Sequence, residues 1–330
     1  MESDLLLIVV IAVALAFDFT NGFQDTANAI ATSVSTRALS PRVAVAIAAC
    51  ANLGGAFLTT AVATTVGQGL IDTQLATQQT VLAALLGAIG WNLVVWRLGL
   101  PSSSSHALIG GLVGAAIVQS GLDGVNWYGL VHKVVLPAIF SPALGFAGAF
   151  LLLLAILWLF AWAHPGPAYR AFRLAQIGSG TFVAFIHGAN DAQKTMGVIA
   201  LALVAHGSID HFYIPTWVKI AAGLAIGLGT YAGGWRVIRT LGQRIFKIEP
   251  ASGFAAQAAG GLTLYLATRL GYPVSTTHTI SGAVMGAGST VRFSAVRWGV
   301  ARTIVTAWLI TIPCTAVAAG ILYWPVEAIF

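Results

Sequence analysis

Phe19-Thr-Asn-Gly22-Phe-Gln-Asp25 and Phe185-Ile-His-Gly188-Ala-Asn-Asp191 are two copies of one motif. Arg97-Leu-Gly99-Leu-Pro101-Ser-Ser-Ser-Ser-His106 and Arg269-Leu-Gly271-Tyr-Pro273-Val-Ser-Thr-Thr-His278 are two copies of another. The separations are 166 and 172 residues, so both motifs keep their order and nearly their spacing, as in a duplicated unit. The sequence around them is apolar. Of the 330 residues 58% are hydrophobic and only 8% charged, where a soluble domain is about a quarter charged. Apolar runs at 5–17, 43–63, 146–162, 220–231 and 304–322 leave no room for an ordinary soluble domain. They are also too long and continuous for alternating barrel strands of about 10 residues. An all-α polytopic membrane protein is expected.

The repeat divides the chain into an N-terminal unit, 1–163, and a C-terminal unit, 174–330. A cytoplasmic linker at 164–173, His164-Pro-Gly-Pro-Ala-Tyr-Arg170, joins them. Each unit is predicted to hold an Asp-bearing helix (5–36; 174–205), a second helix (43–70; 215–238) and a final helix (129–162; 299–325). The Asp-bearing helix is expected to be broken beside its glycine. Between the second and final helices lies the proline motif, flanked by apolar arms at 79–98 and 106–119, and at 254–270 and 278–289. These arms are mostly short for a crossing and their tip is polar, which fits a re-entrant helical hairpin, since non-helical backbone at membrane depth must line a cavity or be buried in protein. Three crossings and one hairpin per unit make an odd count, so the units are inverted repeats.

Charge gives the orientation. With the N-terminus outside, Arg37, Arg42, Arg170, Arg173, Arg236, Arg239, Arg244, Lys247, Arg292, Arg297 and Arg302 face the cytoplasm, and only Lys133 and Lys219 fall near outer ends. Eleven against two follows the positive-inside rule, with both termini outside the cytoplasm and the cell membrane as location. The basic pI near 9.6 is thereby accounted for without a nucleic-acid partner. Glu2 and Asp4 precede the first apolar run where a secretory signal carries positive charge, so a retained first helix is expected. Cys50 and Cys314 lie singly in apolar segments, without metal-ligand spacing, and read as packing residues.

Few charges remain within the membrane: Asp18, Asp25, Asp191 and Lys194, with Arg97 and Arg269 on the hairpin arms. Each costs about 2.5–3.5 kcal/mol on insertion scales, so function or pairing must compensate. Asp25 and Asp191 occupy matched positions beside Gln24, Asn28, Asn190 and Gln193, an oxygen-rich set suited to sodium or a proton. Asp18 faces Ala184 in the alignment, and its role stays open between function and packing. Ser103, Ser104 and Ser105, and Ser275, Thr276 and Thr277, open a helix just after a proline. Free backbone N–H groups, the positive end of the helix dipole and hydroxyl donors together make an anion site, although the same residues are also ordinary N-caps. His106 and His278 follow each cluster and read as supports of the tip, or as proton carriers or anion donors. No Ser is spaced with a base and an orienting acid, so an enzyme such as an intramembrane hydrolase is not expected.

Gly22-Phe-Gln-Asp25-Thr-Ala-Asn28-Ala and Gly188-Ala-Asn-Asp191, with the two proline motifs, resemble the inorganic phosphate transporter (PiT) family, bacterial low-affinity type, over about 15–310. The resemblance implies secondary active symport of phosphate with protons or sodium, no cofactor, a homodimer in the lipid bilayer, and a scaffold with a moving transport region. Asp191-Ala-Gln-Lys194 departs from the Asp-Val-Ala-Asn of sodium-coupled members, with Lys194 standing where the first unit has Asn28. A fixed ammonium in place of one cation favours protons, and resembles the branch that carries phosphate as a metal complex. The reading is phosphate import coupled to a cation by alternating access. Sulfate transport by the same architecture, or an anion channel, are the alternatives.

Overall fold

In the computed structural model, which describes residues 2–330, the chain is helical almost throughout. The first unit holds α1 (Glu2–Ser35), α2 (Pro41–Gly55), α3 (Ala61–Gln68), α4 (Gln78–Leu98) and α5 (Ser104–Ser120). It closes with α6 (Trp127–Leu130), which runs through a π-turn at Val131–Val135 into α7 (Leu136–Leu159). The second holds α8 (Pro165–His206), α9 (Thr216–Ala232), α10 (Trp235–Arg239), α11 (Pro250–Arg269), α12 (Thr276–Val291) and α13 (Trp298–Ile329). Among the described residues, five stretches are long and apolar enough to cross a membrane: Ser3–Ser35, Gln78–Leu98, Ser104–Gly124, Trp127–Leu159 and Trp298–Ile329. The two first-unit hairpin arms are among them: the first matches the arm expected at 79–98, and the second, expected at 106–119, is longer.

The hairpins are made by local chemistry that recurs. Gly99 and Gly271, at φ +67° and +74°, end the first arms in the left-handed region open to glycine. Pro101 and Pro273 then bar continuation of the helix. Ser103 and Ser275 restart it as N-caps, their hydroxyl oxygens accepting from the backbone N–H of His106 (3.1 Å) and His278 (3.2 Å). Each second arm folds back on its first, α5 on α4 and α12 on α11.

Two sequence expectations are corrected. The Asp-bearing helices are unbroken, and the interruptions fall in the following helix, at 56–60 between α2 and α3 and at Gly233-Gly234 between α9 and α10. Gly22 and Gly188 serve close approach instead. A Cβ on Gly22 would meet the Ile226 carbonyl of α9, and one on Gly188 the Asn52 backbone of α2. The 164–173 linker is likewise not an open loop, because α8 begins at Pro165. Proline in a first turn lacks only an N–H that has no helical acceptor there, so Pro165 and Pro167 permit the helix they seemed to exclude.

Polarity is arranged inside out. Leu93, Leu144, Leu151, Leu228, Leu309 and Trp162 are exposed, while Asp18, Asn21, Gln24, Asp25, Asn28, Asn190, Asp191 and Lys194 are buried. An apolar exterior suits lipid, and Cys50 and Cys314 belong to it rather than to the packed interior expected for them. The neighbours of each helix repeat when the units are exchanged. α1 packs on α9 and α8 on α2; α4 on α1 and α11 on α8; α5 on α13 and α12 on α7. α1 and α8 also pack on each other, which brings the two Asp motifs together at the centre.

Candidate functional site

Asp18, Asn21, Asp25 and Asn28 are spaced by three, four and three residues, which places them on one face of α1. The matched residues on α8 are Ala184, His187, Asp191 and Lys194. Where these faces meet, Asn21 Nδ2 donates to Asp191 Oδ2 at 3.3 Å, and His187 Nε2 stands 3.3 Å from the same oxygen and 3.9 Å from Asp25 Oδ2. Lys194 Nζ pairs with Asp191 Oδ1, donates to the Ser105 hydroxyl, and reaches the Val274 carbonyl at 3.1 Å. All these side chains are buried. In a low-dielectric interior a carboxylate needs such partners, and Asp191 has Lys194 and Asn21 while Asp25 has no fixed cation of its own.

Both hairpin tips converge on Asp25. The single hydroxyl proton of Ser104, on the first, is shared between Asn21 Oδ1 at 2.6 Å and Asp25 Oδ2 at 3.1 Å. Thr277 of the second donates to Asp25 Oδ1 at 2.9 Å and accepts from Asn28 Nδ2 at 3.0 Å. The exchanged pair is Lys194 with Ser105, so residue 28 or 194 of each unit touches the hydroxyl cluster of the other. Ser103 and Ser275 are the caps described above. Thr276 presents a buried hydroxyl with no hydrogen-bond partner among the described residues. His106 and His278 brace the tips edge to face at 4.6 Å, and His278 stacks on Trp308 at 4.0 Å.

Gln24 and Asn190 hold protein rather than line the ion cluster. Gln24 Nε2 reaches the Ser102 carbonyl (3.5 Å), and Asn190 Nδ2 donates to the Tyr272 carbonyl (3.1 Å) and Thr268 (2.9 Å), so each ties its Asp helix to its own hairpin. Gln193 accepts from the backbone N–H of Val62 (2.9 Å) and Ala63 (3.2 Å), capping α3 after the break. Sequence reasoning passed over Asn21 and His187 as site residues. Their signal was present: both stand one turn before the Asp at matched positions, on the same helix face.

His187 shows what the cluster can bind. Asn52 Nδ2 donates to the Ala48 carbonyl (3.0 Å) and Thr230 (3.2 Å), so its Oδ1 is the acceptor facing His187 Nδ1 at 2.6 Å. Nδ1 therefore carries the proton. His187 Nε2 then faces two carboxylates, an arrangement satisfied by positive charge, as a proton on Nε2 or as a cation between these groups. Asp25, His187 and Asp191 offer ligand atoms within 4.8 Å of one another. The site thus combines a cation trap with hydroxyls and two helix N-termini fit for an oxyanion.

The sequence pattern of the phosphate transporter family matches residues 21–319. The chain belongs to this family. Among its relatives, a "probable low-affinity inorganic phosphate transporter" of Rhizobium meliloti (strain 1021) is 49% identical over 326 residues, covering 98% of this chain and 97% of that one. A protein of the same description from Bacillus subtilis (strain 168) is 44% identical, over 99% and 100% of the two chains. A solved structure described as "the sodium-dependent phosphate transporter" superposes with TM-score 0.88 at 26% identity, covering 98% of this chain and all of that one. The family resemblance of the two doubled motifs is thereby established over nearly the whole chain.

Proposed function

We propose that this family member imports inorganic phosphate by alternating access, coupled to a cation held at Asp25, with protons favoured over sodium. The observation that carries this reading is that one carboxylate, Asp25, accepts hydroxyl hydrogen bonds from both hairpin tips, through Ser104 and Thr277. Phosphate would need those same donors. Hydrogen bonds to a charged group are worth about 1.5–3 kcal/mol each, so an ionised Asp25 competes with phosphate for them and repels it as well. A cation on Asp25 ends both effects and frees the hydroxyls, with the N-termini of α5 and α12, for the anion. Cation and phosphate then bind cooperatively, which is the linkage a symporter requires. Lys194 already bridges Asp191 and Ser105, filling with a fixed ammonium the place where a second cation would sit, and this favours protons. Asp25 also offers an acceptor to a protonated phosphate oxygen, which sulfate at neutral pH lacks.

Ser104→Ala with Thr277→Ala lowers phosphate affinity of the purified protein by at least about tenfold, more than either change alone, through the lost donors. Unchanged binding in the double variant sinks the two-tip site. Of the three hydroxyls expected at the second tip, Thr277 is the one to change, since its hydroxyl is turned to Asp25.

The inverted arrangement, with re-entrant hairpins and both termini outside, belongs to the same proposal and draws on the exchanged helix neighbours and the bias of basic residues. Thr73→Cys and Ser208→Cys, in a background lacking Cys50 and Cys314, are expected to react with an impermeant thiol reagent added outside. Reaction only from the cytoplasmic side overturns the orientation.

A further inference from the structure

The exchange relation between the units fails at one interface. Where α4 meets α13, the Trp91 indole donates to Ser102 (3.3 Å) and Thr311 (3.2 Å) and so bridges the two helices. The matched residue on α11, 172 positions on, is Thr263, whose hydroxyl turns back to the Ala259 carbonyl of its own helix (2.9 Å). No large ring fills the space there. Between α11 and α7 the protein carries a groove of about 1010 Å³, at the upper end of the ~300–1,000 Å³ typical of ligand pockets.

Most of its wall is apolar, with Leu144 and Leu152 from α7 and Leu262 and Leu266 from α11. One end is not. Lys133, in the π-turn before α7, stands half-buried there with Nζ 5.0 Å from the centre of the Tyr272 ring, and it has no acidic partner among the described residues. His132 and Tyr128, stacked at 4.0 Å, complete that rim, and the exposed Tyr128 ring suits a membrane interface. Lys133 is also one of the two basic residues that the charge bias leaves near an outer end. From Leu270 to Ala258 the groove follows twelve residues of α11, about 18 Å. That length is close to one leaflet of a hydrocarbon core about 30 Å thick.

We infer that this groove holds an anionic phospholipid, its headgroup phosphate on Lys133 and its acyl chains between α7 and α11. The occupant has to be apolar along its length and negative at one end. A zwitterionic headgroup brings a second cation toward Lys133, whereas a net-negative one does not. The site also lies against the transport machinery: Tyr272 and Val274 line the groove, and their carbonyls accept from Asn190 (3.1 Å) and Lys194 (3.1 Å). A bound lipid thus steadies the second hairpin tip from its membrane side. The inference requires neither a coupling ion nor a direction of transport; the orientation proposed above only sets the leaflet, the outer one.

The test titrates delipidated protein in detergent with phosphatidylglycerol or phosphatidylcholine of the same chains, and reads the adducts by native mass spectrometry. The wild type is expected to take one phosphatidylglycerol at least about tenfold more tightly than phosphatidylcholine, and Lys133→Gln to lose that preference. Thr263→Trp, which fills the groove as Trp91 fills its counterpart, loses the tight adduct altogether. Phosphatidylglycerol also raises the thermal midpoint of the wild type and not that of Lys133→Gln. Should Thr263→Trp fail to fold, Lys133→Gln at the rim decides alone. Equal affinity of the wild type for the two lipids, a preference that survives in Lys133→Gln, or a tight adduct retained by Thr263→Trp overturns the site. A dimer that Thr263→Trp splits, with no lipid adduct on the wild type, gives the groove to a second copy of the chain and overturns the lipid as its occupant.

Discussion

Asp25→Asn abolishes accumulation of phosphate against its gradient and leaves exchange of phosphate between the two sides in place. The amide is a permanently neutral group of nearly the same shape, and so mimics the cation-loaded carboxyl. As a neutral acceptor it competes only weakly with phosphate for Ser104 and Thr277, which the native carboxylate engages at 3.1 and 2.9 Å. The anion can bind and cross, but nothing couples its movement to a cation. Uptake and counterflow in vesicles at fixed membrane potential, with sodium and pH varied separately, measure the two properties. Accumulation that persists in Asp25→Asn assigns coupling elsewhere and removes the asymmetric roles of the two aspartates.

Lys194→Met is the most damaging single change expected for the fold. It withdraws the ammonium from Asp191, the Ser105 hydroxyl and the Val274 carbonyl together, and leaves a fully buried carboxylate with only Asn21 and His187 beside it. Breaking one side of a buried ion pair costs about 3–5 kcal/mol, most of it the penalty of the charge left behind. Asp191→Asn with Lys194→Met removes that orphan, and stability should largely return. A double-mutant cycle on the thermal midpoint in detergent reads this as strong non-additivity. If Lys194→Met melts with the wild type, the pair is not what holds Asp191 in the interior. Lys194→Asn is the informative companion: it makes residue 194 match Asn28, and a sodium requirement for uptake is its expected consequence.

Much of this site could be read from the sequence, because polar residues are costly inside apolar segments and chance does not repeat them at matched positions. Asp25, Asp191 and the hydroxyl clusters stood out for that reason. The glycines misled: Gly22 and Gly188 looked like helix breakers, and only the packing of α9 and α2 shows that they admit a neighbouring backbone. His187 and Asn21 escaped notice because the two residue types differ, although they occupy equivalent positions. The choice between Thr276 and Thr277 was also beyond sequence, since adjacent residues on a helix point about 100° apart and the phase is set by how α12 seats against α7. Pairings such as Thr277 with Asp25 span 252 residues and exist only once the two units have come together.

The exchange relation among the helices bears on the energy of the resting protein. Were the two units identical, a conformation and its exchanged partner would be equal in free energy, and an unloaded carrier would spend half its time in each. Asp18 against Ala184 and Asn28 against Lys194 remove that equality. Under the alternating-access mechanism proposed above, these residues would act as a built-in tilt, biasing the face on which the empty carrier waits and so how quickly it returns to collect its next load.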